Sequence, residues 1–451
     1  MNDLVQYYRC PENLIQMATR EPLSDASGYF RVGKELCYGR LFDARPSESP
    51  SGVVCDASDR IVTEKGTTYL PFDLSQVATN LRCELYAEDW RSGVLKGAVS
   101  KMYYFVRPLL PVAMRKYLQR IHLRGWDQLQ FPRWPVDRTV DNLFDQLLLL
   151  ALRSQNHKQI PFIWFWPDGA PSCAMMTHDV ETTSGRDFCS TLMDIDDAFG
   201  IKSSFQVVPE ERYDVTPDFL ESIRVRGFEV VIHDLNHDGR LYRSRNEFLQ
   251  RAAKVNAYGR KYGAHGFRAG VLYRKQLWYD ALCFDYDMSV PSVAHLDPQR
   301  GGCCTVMPYF VGSILELPVT MTQDYTLFNV LSDYSIDLWK KQIALVMEKH
   351  GLSNFIVHPD YIGASRERSV YEELLGYLAT LRNERGLWIA KPGEVNRWWR
   401  QRAEMKLVEG RQGWGIEGEG KERACLAFAS EEEGRLVFNV QSAKAQMHPC
   451  L

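Results

Sequence analysis

Val230-Val231-Ile232-His233-Asp234-Leu235-Asn236-His237 carries an apolar β-branched run straight into two histidines four residues apart. A run of this kind reads as a strand buried on both faces, and the polar burst after it reads as a loop leaving the strand's carboxyl end. Working outward, strand-like runs of the same texture lie at 174–178, 204–208, 229–233, 266–268, 284–290, 314–319, 355–358 and 387–390. Helical patterns separate most of them, at 187–199, 217–226, 247–262, 275–283, 336–350 and 367–385. This alternation over about 172–402 predicts parallel strands joined by crossover helices, as a barrel or a doubly wound sheet.

The polar residues are positioned with equal regularity. The first run ends in Thr177-His178-Asp179-Val180-Glu181, the fourth ends at Arg268, the fifth carries Asp285 and Asp287, and a late one runs into His358-Pro359-Asp360. Functional side chains of α/β folds collect at the carboxyl ends of strands, so these ends predict one convergent site. His233 and His237 are spaced to chelate one ion, although H-x-x-x-H alone also describes two solvated loop histidines. A carboxylate from another strand would complete a two-histidine, one-carboxylate set. Asp179 and Glu181 lie two apart and share a face of an extended strand. One can bind a cation while the other accepts a proton from water, and the cation would keep both ionised.

In this order the segments resemble the five motifs of the NodB-homology polysaccharide deacetylases of carbohydrate esterase family 4. Thr177 to Glu181 is similar to the first motif, His233 to His237 to the second and Gly266-Phe267-Arg268-Ala269-Gly270 to the third. Phe284-Asp285-Tyr286-Asp287 is similar to the fourth, and Phe355-Ile356-Val357-His358-Pro359 to the fifth. The resemblance spans about 172–402 and implies a distorted seven-stranded (β/α) barrel. It implies a divalent metal ion, Zn²⁺ foremost, on His233 and His237, with Asp179 as general base and Arg268 holding that base. Asp287, or Asp285, would orient the general acid His358, with Asp360 the next candidate acid. The family's usual second aspartate falls on Val180, which cannot ligate, so Glu181 takes the metal role by analogy with D-x-D/E branches, and Asp234 is the fallback ligand. The activity implied is N-deacetylation of an amino-sugar-containing saccharide or lipid-linked sugar in surface or extracellular polysaccharide synthesis. The rivals are another C–N hydrolase, such as a deformylase or an imide/ureide hydrolase, and a non-catalytic saccharide-binding protein. The presence of base, acid and histidine pair speaks against the latter.

The rest of the chain bounds these readings. Its 451 residues, 45% hydrophobic and 25% charged, are those of an ordinary globular protein. Lys+Arg 54 against Asp+Glu 57 leaves a net charge of -3 and no global basic field for nucleic acid. The sequence shows neither a signal peptide nor an apolar run of about 20 residues. The 11 cysteines form no C-x-x-C pair and read as free thiols, so the expected location is cytoplasmic. Residues 1–105 read as a small β-rich domain with strands at 29–32 and 52–55, and 106–171 as a helical connecting segment. Residues 403–451 read as a C-terminal β extension with a hairpin of 425–428 and 436–440. Lys101, Arg107, Arg115, Lys116, Arg120, Arg124, Arg133 and Arg138 favour a solvated helix face over a peripheral contact with anionic lipid. Trp278, Tyr325 and Tyr361 read as core more than as sugar-stacking platforms, and 301–304 as a connection more than a lid.

Overall fold

Parallel pairing organises the central part of the chain. The computed structural model describes residues 3–87, 123, 125–411 and 413–441. Ahead of the central sheet lie β1 (Met17–Thr19), β2 (Gly28–Val32), β3 (Glu35–Gly39), β4 (Val62–Glu64), β5 (Thr67–Leu70) and β6 (Gln159–Ile163), with helices α1 (Asp3–Tyr8), α2 (Leu74–Arg82) and α3 (Thr139–Ser154). The sheet comprises β7 (Cys173–Val180), β8 (Ser204–Val207), β9 (Glu229–His233), β10 (Gly266–Arg268), β11 (Tyr286–Asp287), β12 (Tyr309–Val311), β13 (Ile314–Glu316), β14 (Leu352–Ile356) and β15 (Trp388–Ile389). Around it run α4 (Thr183–Ala198), α5 (Pro217–Arg224), α6 (Arg245–Tyr262), α7 (Asp337–Met347), α8 (Ser365–Arg385) and α9 (Pro392–Glu404).

The strand order is β12-β13-β11-β10-β9-β8-β7-β14, and every pair is parallel except the β12–β13 hairpin. One edge of β7 takes β14. Its other edge is shared, with β15 at Cys173–Ala174 and β8 at Thr177–Val180. The expected seven-stranded barrel is therefore a curled sheet of nine strands, and no ladder joins β13 to β14 among the described residues. The run expected to stay extended to Val319 stops at Glu316, since Pro318 has no N–H to offer a ladder. Side-chain bonds and a backbone bond sew the seam instead. Asn354 Nδ2 donates to Leu317 O at 3.0 Å, Thr320 Oγ1 to Leu352 O at 2.6 Å, and Met321 N–H to Asn354 O at 3.3 Å.

Period-two alternation then sorts the side chains. Met175, Val231, Tyr286, Met288, Leu315 and Leu352 point inward and join one core. Ala174, Met176, Val180, Val230, Ile232, Phe267 and Phe355 point outward into a second core under the helices. Helix α4 shows the matching 3.6 period: Cys189, Leu192, Met193 and Asp196 are its buried face. The inward ring of Tyr286 fills the floor of the sheet beside Gly266, where a Cβ would overlap it. Gly266→Ala is therefore expected to lower stability by about 1–3 kcal/mol, read as a lower denaturation midpoint.

At the two ends the structure departs from the sequence reading. Residues 52–55 stay irregular, and Arg31 N–H bonds Cys55 O at 2.8 Å in place of a strand pair. The connecting segment is helical over α3 but then holds a strand, β6, which pairs antiparallel with β18 (Leu426–Glu432). That strand and β19 (Arg435–Val440) form the expected hairpin, and Phe438 reaches the Tyr8 ring with centroids 6.0 Å apart. A second hairpin, β16 (Lys406–Gly410) with β17 (Gly413–Glu417), was not anticipated in this Gly- and Glu-rich stretch. The helix expected through Met114 and Ile121, and most of the basic cluster, lie outside the described residues. Arg133 pairs with Glu35 at 3.0 Å and Arg138 with Glu348 at 2.6 Å, so both are engaged within the protein. Among the described residues no helix is long and apolar enough to cross a membrane.

Candidate metal and acid–base site

Inward parity places Thr177 and Asp179 on β7, His233 at the end of β9 and Arg268 at the end of β10 around one mouth, with Glu181 just past β7. His237 reaches the same point because the loop after β9 curls tightly. Asp234 and His237 both take φ near +55°, at +57° and +54°. Arg212 braces this loop, donating to Asn236 O at 3.1 Å and to His237 O at 2.6 Å. The two imidazoles end with centroids 4.8 Å apart.

Glu181, His233 and His237 each offer a ligand atom within 4.8 Å of the others. Glu181 Oε1 lies 2.8 Å from His237 Nε2 and 3.8 Å from His233 Nε2. The donor chemistry fits a divalent cation. His233 Nδ1–H donates to Arg268 O at 3.2 Å, which leaves a lone pair on Nε2. That Nε2 is buried without a hydrogen-bond partner, and His237 Nε2, also buried, faces Glu181 Oε1. Two imidazole nitrogens and one carboxylate converging at a strand end form a set suited to Zn²⁺ and related ions.

A carboxylate and a histidine flank this cluster, and each is held by an opposite charge. Arg268, fully buried, donates to Asp179 Oδ1 at 2.6 Å, Thr177 Oγ1 at 2.8 Å and Met288 O at 3.0 Å. Burial pushes the Asp179 carboxyl up, but Arg268, with His233 and His358, outweighs it and holds the group below its ordinary value. Its Oδ2 lies 3.7 Å from His233 Nε2. His358 is set from the other side. Asp324 accepts its backbone N–H at 2.7 Å and its Nδ1–H at 2.6 Å, and Nε2 faces Glu181 Oε1 at 3.5 Å. Burial pushes His358 down, but Asp324, followed by Glu181, outweighs burial and holds it well above an ordinary histidine.

Asp287 does not join these residues. It sits in register with outward-facing Phe267, so its carboxylate leaves the mouth and bonds Tyr279 OH at 2.8 Å and Ser289 N–H at 2.8 Å. Asp285 has the same parity and pairs with His265 at 2.9 Å. The partner expected of Asp287 is supplied by Asp324, which the sequence reading missed because it follows the irregular seam and not a strand. Its neighbour Tyr325, packed on Tyr361 with centroids 5.3 Å apart, marks that the segment reaches the mouth, since Tyr361 lies 5.0 Å from the His358 ring. Asp234 accepts Leu235 N–H at 2.7 Å and stays out of the ligand cluster. Asp360 takes the Thr182 hydroxyl, which in turn caps α4 by accepting Gly185 N–H at 3.2 Å. Trp278 packs on Tyr242 and Phe248 at the margin of the outer core. Asp324→Asn is expected to lower activity at neutral pH by about tenfold or more. It should also bring the alkaline limb of the pH–rate profile toward the ordinary histidine value of about 6.5.

The fold and site define a class: an α/β protein with a two-histidine, one-glutamate cluster suited to a cation, between a guanidinium-held carboxylate and a carboxylate-held histidine. No family model and no curated protein matches the sequence. Among solved structures the chain is similar to a Mycobacterium smegmatis protein assigned as a polysaccharide deacetylase, at 18% identity, 53% of this chain, 93% of that one and a TM-score of 0.43. It is similar also to the PuuE allantoinase (13%, 52% and 92%, TM-score 0.40) and to the peptidoglycan deacetylase PdaC of Bacillus subtilis (13%, 51% and 93%, TM-score 0.34).

Proposed function

We propose that this protein is a metal-dependent hydrolase of carbon–nitrogen bonds that removes the N-acetyl group from an amino-sugar-containing saccharide. The observation that carries the reading is the placement of Glu181, His233 and His237 between Asp179, held by Arg268, and His358, held by Asp324. The sequential motif resemblance over about 172–402 supplies the substrate class. A divalent cation on the three ligands, Zn²⁺ foremost, would polarise the amide carbonyl and acidify water. Asp179, kept ionised by Arg268, accepts the proton that water gives up as it adds to the carbonyl carbon. His358, kept protonated on both nitrogens by Asp324, delivers a proton from Nε2 to the departing amine, which leaves as neutral amino sugar with acetic acid as co-product. Asp179 then gives up its proton to solvent and His358 takes one back, and the acid ionises to acetate on release. The test pairs metal analysis of the purified protein with an acetate-release screen on N-acetylated monosaccharides, oligosaccharides and lipid-linked sugars. Acetate release that tracks metal content supports the reading. A metal-free protein, or one that binds metal and releases ammonia or formate instead of acetate, would replace it.

A further inference from the structure

Just past Arg268 the chain turns in a conformation that side chains resist. Val271 has φ +61° and Leu272 φ +52°. A β-branched residue in the left-handed region is a genuine outlier, and such strain persists where surrounding structure over-determines it. The turn's own hydrogen bonds are long: Leu272 N–H to Ala269 O and Tyr273 N–H to Gly270 O, each 3.3 Å. Ser289 Oγ holds the start of the turn, accepting Ala269 N–H at 2.8 Å. Gln299 brackets Arg274 beyond its end, at 3.1 Å to both its N–H and its carbonyl. The restraint on Leu272 comes by way of a remote part of the chain. Fully buried Arg274 donates from Nη1 to Leu272 O at 2.9 Å and from Nε to Glu84 Oε2 at 2.7 Å, while its Nη2 pairs with Glu84 Oε1. Glu84, buried just beyond α2, also accepts Gly302 N–H at 2.6 Å. Neighbouring bonds fix its segment, with Gln276 Nε2 donating to Arg82 O at 2.6 Å and Tyr86 OH to Gly302 O at 2.7 Å.

The other end of this turn touches the site. Gly270 packs so closely that a Cβ there would come within 2.5 Å of Asp234 Oδ2 and 3.1 Å of His237 Cδ2. Arg268, two residues earlier, holds Asp179, and its carbonyl accepts both His233 Nδ1–H and, at 2.8 Å, Asp234 N–H. Leu272 packs inward on Val319 and Ile356, the latter two residues before His358. The 269–273 turn thus stands between the Glu84–Arg274 ion pair and both histidines.

We propose that Glu84 and Arg274 are positioning residues that clamp the strained 269–273 turn and, through it, the His233–His237 loop and Arg268. The consequence for metal rests on the cation-site reading above. The decisive experiment uses the full chain, with Co²⁺ titration followed by visible absorption and hydrogen exchange followed over 233–238 and 269–274. Glu84→Gln should weaken Co²⁺ binding about 10–100-fold, alter the cobalt spectrum and speed exchange in those two segments. Arg274→Lys keeps the charge but loses the fork, so it should show the same pattern and decides the matter where Glu84→Gln does not fold. Adding Val271→Gly, which takes positive φ without steric cost, should restore Co²⁺ affinity to within about threefold while the ion pair stays broken. A purely structural ion pair would lower the melting temperature without moving Co²⁺ affinity and without rescue by Val271→Gly, and that result would overturn the proposal. If the wild-type protein binds no Co²⁺, the cation reading falls, and the exchange data with the Val271→Gly rescue still decide whether the clamp holds the turn.

Discussion

Asp179→Asn is expected to keep its bound metal and lose about 10²–10⁴-fold in rate, the usual worth of a positioned proton acceptor. The amide oxygen can still accept from Arg268 Nη1, which now donates to Asp179 Oδ1 at 2.6 Å, but it cannot take a proton from water. The exchange leaves the buried guanidinium short of its counter-charge, and breaking a buried pair costs about 3–5 kcal/mol. Activity should therefore be measured well below the variant's melting temperature. The wild-type pH profile carries the same logic. The base must be ionised, so rate is lost as pH falls through its depressed pKa, below the ordinary aspartate value of about 3.9. The acid must be protonated, so rate is lost as pH rises through the raised pKa of His358, above the ordinary histidine value of about 6.5. An Asp179→Asn protein that loses metal together with activity would make Asp179 a ligand and not the base. Its Oδ2, 3.7 Å from His233 Nε2, is near enough for that alternative to be real.

The residues that could be read from sequence are those at the ends of regular strands. Glu229–His233 and Gly266–Arg268 are observed as read, and period-two alternation brings His233, Arg268, Asp179 and Thr177 to one mouth. Asp287 failed for a reason that the same alternation contains. Tyr286 and Met288 are the apolar members of that run that fill the interior, so Asp285 and Asp287 must face the helices, where Tyr279 receives Asp287. Asp324 lies where no strand pattern points: Pro318 ends β13, and the stretch from Leu317 to Gln323 mixes isolated backbone bonds with side-chain bonds, without a strand's period. The strand at Gln159–Ile163 was obscured by Pro161, yet its pairing with β18 leaves Pro161 opposite Phe428 in the ladder. Nothing local to Glu84 announces its partner, because Arg274 lies 190 residues away.

On the proposed reading, His233→Ala is expected to reduce divalent-ion content from about one per chain to a small fraction, because two donors do not hold such an ion at a three-ligand site. The remaining pair, His237 Nε2 and Glu181 Oε1, already lie 2.8 Å apart and would close on each other as a hydrogen-bonded ion pair. Glu181 favours that outcome: burial pushes its carboxyl up, but His237, with His233 and His358, holds it well below its ordinary value. Removing the buried ring deletes one of the two bonds to Arg268 O, at 3.2 Å, and leaves a cavity, so a lower melting temperature should accompany the metal loss. Glu181 provides the finer discrimination. Glu181→Ala should lose most of the metal, whereas Glu181→Asp should retain it at reduced affinity, since the shorter carboxylate must be reached by movement of the strand end. Full metal content in His233→Ala, checked by elemental analysis on folded protein, would remove this cluster as the binding site. Metal retained in Glu181→Ala but lost in His233→Ala would move the carboxylate ligand to Asp179, and the proton acceptor would then have to be sought among the residues facing His358.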